Sequence, residues 1–300
     1  MSFCQFIHQI MKRVDLTNPL KSGDLLGYIG KNLNLKDLIN FISATQDIKT
    51  RMSFLKLLPY YKIDINIIDR LPNYLPKNQP NLSQEESSKI TQINNAITQI
   101  TNVKNDDLST LKERFPNLER LTFYYMFDQL IRPGILPKSL TNLTFGVQFD
   151  QPIGPGVLPN FLTHLTFGAR FNQLIGSGTL PKSLTHLTFG YDFNQLIEKG
   201  VLPESLTHLT FGTLFNQPIG SRTLLKSLTH LTFGYNFYRL IIEKGGLPNL
   251  LTHLTFGYNF DQPIEPRRLP ESLTNLTLPD IYIYKKIRKN LPKNLNITYI

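Results

Sequence analysis

Leu162-Thr-His-Leu-Thr-Phe-Gly168 decides how the rest of this 300-residue chain is read. The pattern L-T-[HN]-L-T-F-G also begins at Leu140, Leu184, Leu206, Leu228 and Leu251, and a truncated copy, L-T-N-L-T-L, begins at Leu273. Successive starts are 22 residues apart, except for one step of 23 between Leu228 and Leu251. A looser copy, Leu118-Glu-Arg-Leu-Thr-Phe123, lies 22 residues before Leu140. A fixed period of this length marks a solenoid, in which each coil buries its apolar side only against its neighbours. The pattern predicts a mainly β solenoid of 22-residue coils over residues 111–300, built on one parallel sheet.

Counting a unit from its first Leu, the apolar positions of the copy at Leu162 are Leu162, Leu165, Phe167, Phe171, Ile175 and Leu180. Leu165 and Phe167 alternate as in a strand, so His164 and Thr166 face the other way. Gly168 follows at once and is read as a backbone free to turn a corner. A short second side, F-N-Q-L-I or F-N-Q-P-I, comes next, and Pro181 keeps the return stretch out of a central ladder. Six buried side chains contribute roughly 9–18 kcal/mol, whereas ordering the backbone of one coil costs roughly 22–44 kcal/mol. One coil therefore cannot stand alone.

The unit resembles the leucine-rich repeat, with Phe at position 10 where that family usually carries Asn. The segment Phe215-Asn-Gln-Pro-Ile219, with near-copies at Phe149, Phe171, Phe193 and Phe260, resembles the FNIP repeat. That family occurs mainly in amoebae and in the large DNA viruses that infect them. One copy departs from the pattern: an extra residue follows Phe237-Tyr-Arg-Leu-Ile241, where a local bulge is expected, and Leu225 replaces the usual Pro.

Residues 1–70 lack the 22-residue period and read as a small all-α domain. Leu25, Leu26, Ile29 and Leu33 have helical spacing, as do Leu35, Leu38, Ile39 and Ile42. The stretch Asp24-Leu-Leu-Gly-Tyr-Ile-Gly-Lys-Asn-Leu-Asn-Leu-Lys-Asp-Leu-Ile-Asn-Phe41 resembles the core of an F-box. F-boxes dock on the Skp1 subunit of cullin-type ubiquitin ligases, and F-box and FNIP segments occur together in this order in related proteins. The usual opening Leu-Pro is replaced here by Pro19-Leu20. The resemblance implies a Skp1-like partner contacted through Leu25, Leu26, Ile29, Leu33 and Leu38, with an unknown target held by the repeats. The competing reading is a helical cap over the first coil. Residues 71–110 read as a Pro-rich linker at Pro72, Pro76 and Pro80, followed by an amphipathic helix. Ser83 and Glu86 form a capping box, and Ile90, Ile93, Ile97, Ile100 and Val103 form its apolar stripe.

Charge and cysteine content narrow the function classes. The formal net charge is +10, but half of that excess comes from Lys285, Lys286, Arg288, Lys289 and Lys293 in the last 20 residues. The repeats between are close to neutral, which argues against a nucleic-acid-binding face with its basic stripe. One cysteine, Cys4, precludes an intrachain disulfide and suits a reducing compartment. No apolar run reaches the 18 or so residues of a membrane span, and Met1–Val14 lacks the order of a secretory signal. The expected location is cytoplasmic or nuclear, which for a viral protein would mean the host cytoplasm.

His164, His186, His208, His230 and His253 all occupy position 3 of successive units. Stacked coils place them in a column about 4.8 Å apart. A straight column does not converge on a metal ion, so no metal or other cofactor is expected. No catalytic motif is present: there is no G-x-S-x-G, P-loop, H-E-x-x-H or G-x-G-x-x-G. The sheet face is therefore read as a target-binding surface, made of His164, Thr166, His186, Thr188, His208, Thr210, His230, Thr232 and His253. Protonated neighbours about 5 Å apart would repel, so these histidines are expected to titrate below the usual value of about 6.5.

Overall fold

The computed structural model describes residues 94–104, 110–219, 223–239, 247–262, 269–279 and 295–300, together with 88, 91–92, 108, 264, 291 and the backbone of 63–64. The chain divides into two units: Met1–Thr101 with Glu113–Leu118, and Asn102–Lys112 with Glu119–Ile300. Among the described residues no helix is long and apolar enough to cross a membrane.

In the first unit, β1 (Ile63–Asp64) pairs in parallel with the part of β2 (Gln99–Val103) that belongs to that unit, Ile63 opposite Ile100 and Asp64 opposite Thr101. The Asn117 side-chain amide donates to the Asn95 carbonyl at 2.8 Å. The helical stripe expected to run on to Val103 is corrected here, because residues 99–103 are strand. The i, i+3 spacing of Ile97, Ile100 and Val103 is misleading, since all three are buried without sharing a helix. Asn102 has φ 59°, a left-handed step between the buried Ile100 and Val103 where the burial pattern departs from strict strand alternation. Ile63 and Asp64 are likewise strand inside a segment expected to be helical. The remaining helices expected in residues 1–60, and with them Leu25, Leu26, Ile29, Leu33 and Leu38, lie outside the described residues.

A four-residue helix, α1 (Leu111–Arg114), precedes the repeats. The second unit then lays down β3 (Arg120–Phe123), β4 (Asn142–Thr144), β5 (His164–Thr166), β6 (His186–Thr188), β7 (His208–Thr210), β8 (His230–Thr232), β9 (His253–Thr255), β10 (Asn275–Leu278) and β11 (Asn296–Tyr299). Each strand pairs in parallel with the next, in sequence order. The register keeps like repeat positions opposite one another, as with His164 and His186 or Leu165 and Leu187. The extra residue between β8 and β9 leaves that register unchanged, with His230 opposite His253. The expected bulge itself falls within 240–246, outside the described residues.

Leu165, Phe167 and their copies are buried, and so are the position-10 rings Phe149, Phe171, Phe193, Phe215, Phe237 and Phe260. Within a coil the two Phe rings stack at 3.8–4.1 Å between centroids. From coil to coil the spacing widens with depth. Stacked histidines on the sheet are 4.0–4.2 Å apart. The first Phe column is at 5.5–5.8 Å, and the second at 5.9–6.1 Å. The coils fan apart away from the sheet, so the sheet is the inner, concave side of this unit.

The glycine after each strand has a different role from the expected one. Gly168 and its copies are not in the left-handed region. A Cβ on Gly168, Gly190, Gly212, Gly234 or Gly257 would instead collide with the carbonyl oxygen of the equivalent glycine one coil earlier. Close backbone approach is what requires glycine there. Left-handed φ values of 78–84° belong to Gly134, Gly156, Gly178 and Gly200, ten residues further round the coil.

Candidate functional site: the histidine and threonine face

The parallel register brings the sequence-predicted face together. Arg120, Asn142, His164, His186, His208, His230, His253, Asn275 and Asn296 form one outward column. Thr122, Thr144, Thr166, Thr188, Thr210, Thr232, Thr255, Thr277 and Thr298 form the second. His164 and His253 are exposed, while His186, His208 and His230 are half-buried by one another and by their strands. Adjacent imidazoles are nearly parallel, at 10–14° between planes.

Thr at position 2 was not among the residues singled out from the sequence, yet it sets the ring orientation. The hydroxyls of Thr163, Thr185, Thr207, Thr229 and Thr252 lie 2.8–2.9 Å from Nδ1 of the following histidine. Each also lies 3.1–3.2 Å from the carbonyl oxygen of the Thr one coil earlier. A neutral ring can share the hydroxyl proton or donate its own N–H. A protonated ring donates to the hydroxyl, which passes its proton on to the carbonyl, so the contact survives in both charge states. Asn142 and Asn275 make the same contact with Thr141 and Thr274, at 2.9 and 2.8 Å. This explains why position 3 accepts either His or Asn. The signal was visible in the sequence, since Thr at position 2 recurs as regularly as His.

Burial first, and neighbouring charge second, depress His164, His186, His208 and His230. The pKa values of His164, His186 and His230 fall below the usual 6.5 because stacking removes water from the rings. Smaller contributions come from Arg120 on His164, from His164 on His186, and from His253 and His186 on His230. His208, at the centre, is pushed down to about 4, again by burial first and then by the other four rings. The direction matches expectation, but desolvation outranks the mutual repulsion that the sequence suggested. Among the described residues no three His, Cys, Asp or Glu side chains are grouped as metal ligands.

A second ladder, also missed, runs along the F-N-Q side. Asp128 Oδ1 accepts from the Asp150 N–H at 2.9 Å, and Asp150 Oδ1 accepts from the Asn172 N–H at 2.8 Å. Asn172 accepts from Asn194 and Asn194 from Asn216 in the same way, both at 2.9 Å. Gln195 and Gln217 reinforce it, donating to the preceding Asn side chain at 3.1 Å. This ladder ties coils together. At the corner after the strands Tyr191, Tyr235 and Tyr258 are about half exposed, and the last two stack at 5.1 Å.

The repeat model described as FNIP Repeat matches residues 109–148, 127–170, 149–192, 171–214, 215–258 and 241–281. A solved structure described as CroV588, a novel circular LRR protein, is 45% identical over 68% of this chain, with a TM-score of 0.59. The aligned region spans 30% of that protein's length. A leucine-rich repeat protein from Bacteroides ovatus aligns over 69% of this chain and 64% of its own, at 13% identity and TM-score 0.17, too low to bear on the fold. No curated protein matches the chain.

Proposed function

This chain belongs to the FNIP repeat family, and on that premise we infer that it is a non-catalytic protein-binding adaptor whose repeats capture a target through the concave sheet. One observation carries the reading: positions 3 and 5 of nine consecutive strands make two unbroken polar columns on the inner side of the unit. Imidazole and hydroxyl groups there offer hydrogen bonds at regular intervals without a strong charge, a surface suited to a folded protein or an extended segment. The face is tested by replacing His186, His208 and His230 with Asn. Unchanged affinity for a captured target would move the binding surface to the corner that carries Tyr191, Tyr235 and Tyr258.

The finer reading is a substrate receptor of a Skp1-cullin-F-box-type ubiquitin ligase, acting in the cytoplasm or nucleus. It is supported by the F-box-like stretch Asp24–Phe41 placed ahead of the repeats. Other subunits would perform the transfer. Co-purification with a Skp1-like protein tests it, and Leu26→Ser with Ile29→Ser should abolish that binding while residues 111–300 stay folded. A wild-type chain that never retains Skp1 leaves the second reading, a stand-alone interaction scaffold whose N-terminal helices cap the solenoid. Global loss of folding in the double variant would favour the cap as well.

A further inference from the structure

We propose that the five stacked imidazoles form an acid-responsive element in the docking face: a neutral, packed surface near pH 7, and a row of like charges that pushes its own coils apart when acidified. Describing it as part of a docking face rests on the reading above, whereas the response to acid follows from the geometry of the stack alone.

The rings are held closer than their strands require. Centroids at 4.0–4.2 Å lie inside the roughly 4.8 Å strand spacing, because the sheet sits on the concave side. Neutral rings at that distance gain from stacking. Two charged rings there are well within the Debye length of about 8 Å at physiological salt, so solvent ions screen them poorly. Nor can the rings swing apart without breaking the contact between each Nδ1 and its Thr hydroxyl. Charge on adjacent rings must therefore be relieved by separating the coils, which opposes the strand ladder.

Few other charges bear on the stack. Arg120 heads the column and adds to the repulsion, through its effect on His164. Asn142, Asn275 and Asn296 are neutral, and the companion column is Thr throughout. The corner leading into the strands carries Lys138, Lys182, Glu204, Lys226 and Glu271, of mixed sign. At the corner leaving them, Asp192 faces Arg170 at 4.0 Å. No carboxylate contributes to the shifts of His164, His186, His208 or His230. Among the described residues the stack has no built-in counter-ion, so acid loads it without compensation. Charge reaches the centre last, consistent with His208 being held down to about 4.

The experiment is an NMR pH titration of the full chain labelled with 15N-histidine, with ring signals assigned through single His→Asn variants. His208 should titrate last, near 4, and replacing both His186 and His230 with Asn should raise its midpoint by about a unit or more. Amide exchange, corrected for its intrinsic pH dependence, should show protection of β5–β9 falling roughly tenfold or more between pH 7 and pH 4.5. In the His186→Asn, His208→Asn, His230→Asn variant that loss should disappear, since Asn142 and Asn275 show that Asn preserves the Thr contact. Five rings titrating together near 6.5, or equal loss of protection in the triple variant, would overturn the proposal. If the rings and amides respond as stated but target capture ignores pH, the switch stands and the docking role of this face is what fails.

Discussion

The rings of Phe189 and Phe193 stack around one corner of the same coil with centroids 3.8 Å apart. Each also stacks on its counterparts in the coils before and after. Phe189 thus belongs to two stacks at once, one within its coil and one along the solenoid. Phe189→Ala should cost roughly 3–5 kcal/mol, the range for a buried aromatic truncation. Thr188→Ala, one residue away on the opposite face, should cost well under 1 kcal/mol. Denaturant melts of the two variants check this, and equal losses would invert the inside–outside assignment.

Two glycines twelve residues apart should respond differently to the same change. Gly190→Ala drives a methyl group into the Gly168 carbonyl, an atom that the parallel ladder fixes in place. A loss of about 3 kcal/mol or more is expected, at or beyond the usual range for overpacking. Gly178 has φ 78° and open space around its missing Cβ, so Gly178→Ala meets only backbone strain, about 1–2 kcal/mol. Asn at 178 should recover part of that loss, because Asn tolerates the left-handed region. A Gly190→Ala variant as stable as wild type would show that neighbouring coils can part at that corner.

The side-chain ladder on the F-N-Q side predicts a different pattern. Asn194→Ala removes the acceptor of the Asn216 N–H and one of the two acceptors of the Gln217 amide, which keeps the Asn194 carbonyl, at a cost of about 1–3 kcal/mol. Asn194→Asp keeps an acceptor oxygen in the same place, as Asp150 and Asp128 do two and three coils earlier. Its effect should stay within about 0.5 kcal/mol. Thermal melts that rank Asp with Ala instead would mean that the amide N–H₂ is what the ladder needs.

The repeat period was enough to read the coil, the parallel sheet and the buried Leu and Phe columns, because a 22-residue period leaves each apolar side chain one place to go. It also placed the five histidines in a column. Three things could not be read from one unit alone. The reason for Gly168 lies in a carbonyl 22 residues away, so a single coil suggests a flexible corner where the stack imposes a collision. Curvature is a property of successive spacings, and only the widening from His to Phe columns reveals it. Thr163 and its copies looked like ordinary strand residues until the neighbouring coil supplied the carbonyl beside their hydroxyls. Near Val103 the pattern was misleading, since the i, i+3 spacing falls in a strand that contains one left-handed residue, Asn102.

Stability should fall in acid, with a component that belongs to the histidines. In the folded chain His164, His186, His208 and His230 have pKa values below the usual 6.5, His208 down to about 4. Between those values and 6.5 the unfolded chain binds more protons than the folded one. The stability these groups contribute is therefore full above about pH 6.5 and is lost as pH falls through the folded values toward 4. Carboxylates add their own acid sensitivity below about pH 5, so the wild-type melt alone does not isolate the rings. The His186→Asn, His208→Asn, His230→Asn variant does, because it removes three titrating groups while keeping the Thr contact that Asn142 and Asn275 already make. Between pH 7 and pH 5 the melting temperature of the wild type should drop and that of the variant should stay nearly level. Parallel curves over that interval would mean that the stack tolerates its own charge, and that the half-exposed rings are hydrated well enough to titrate independently.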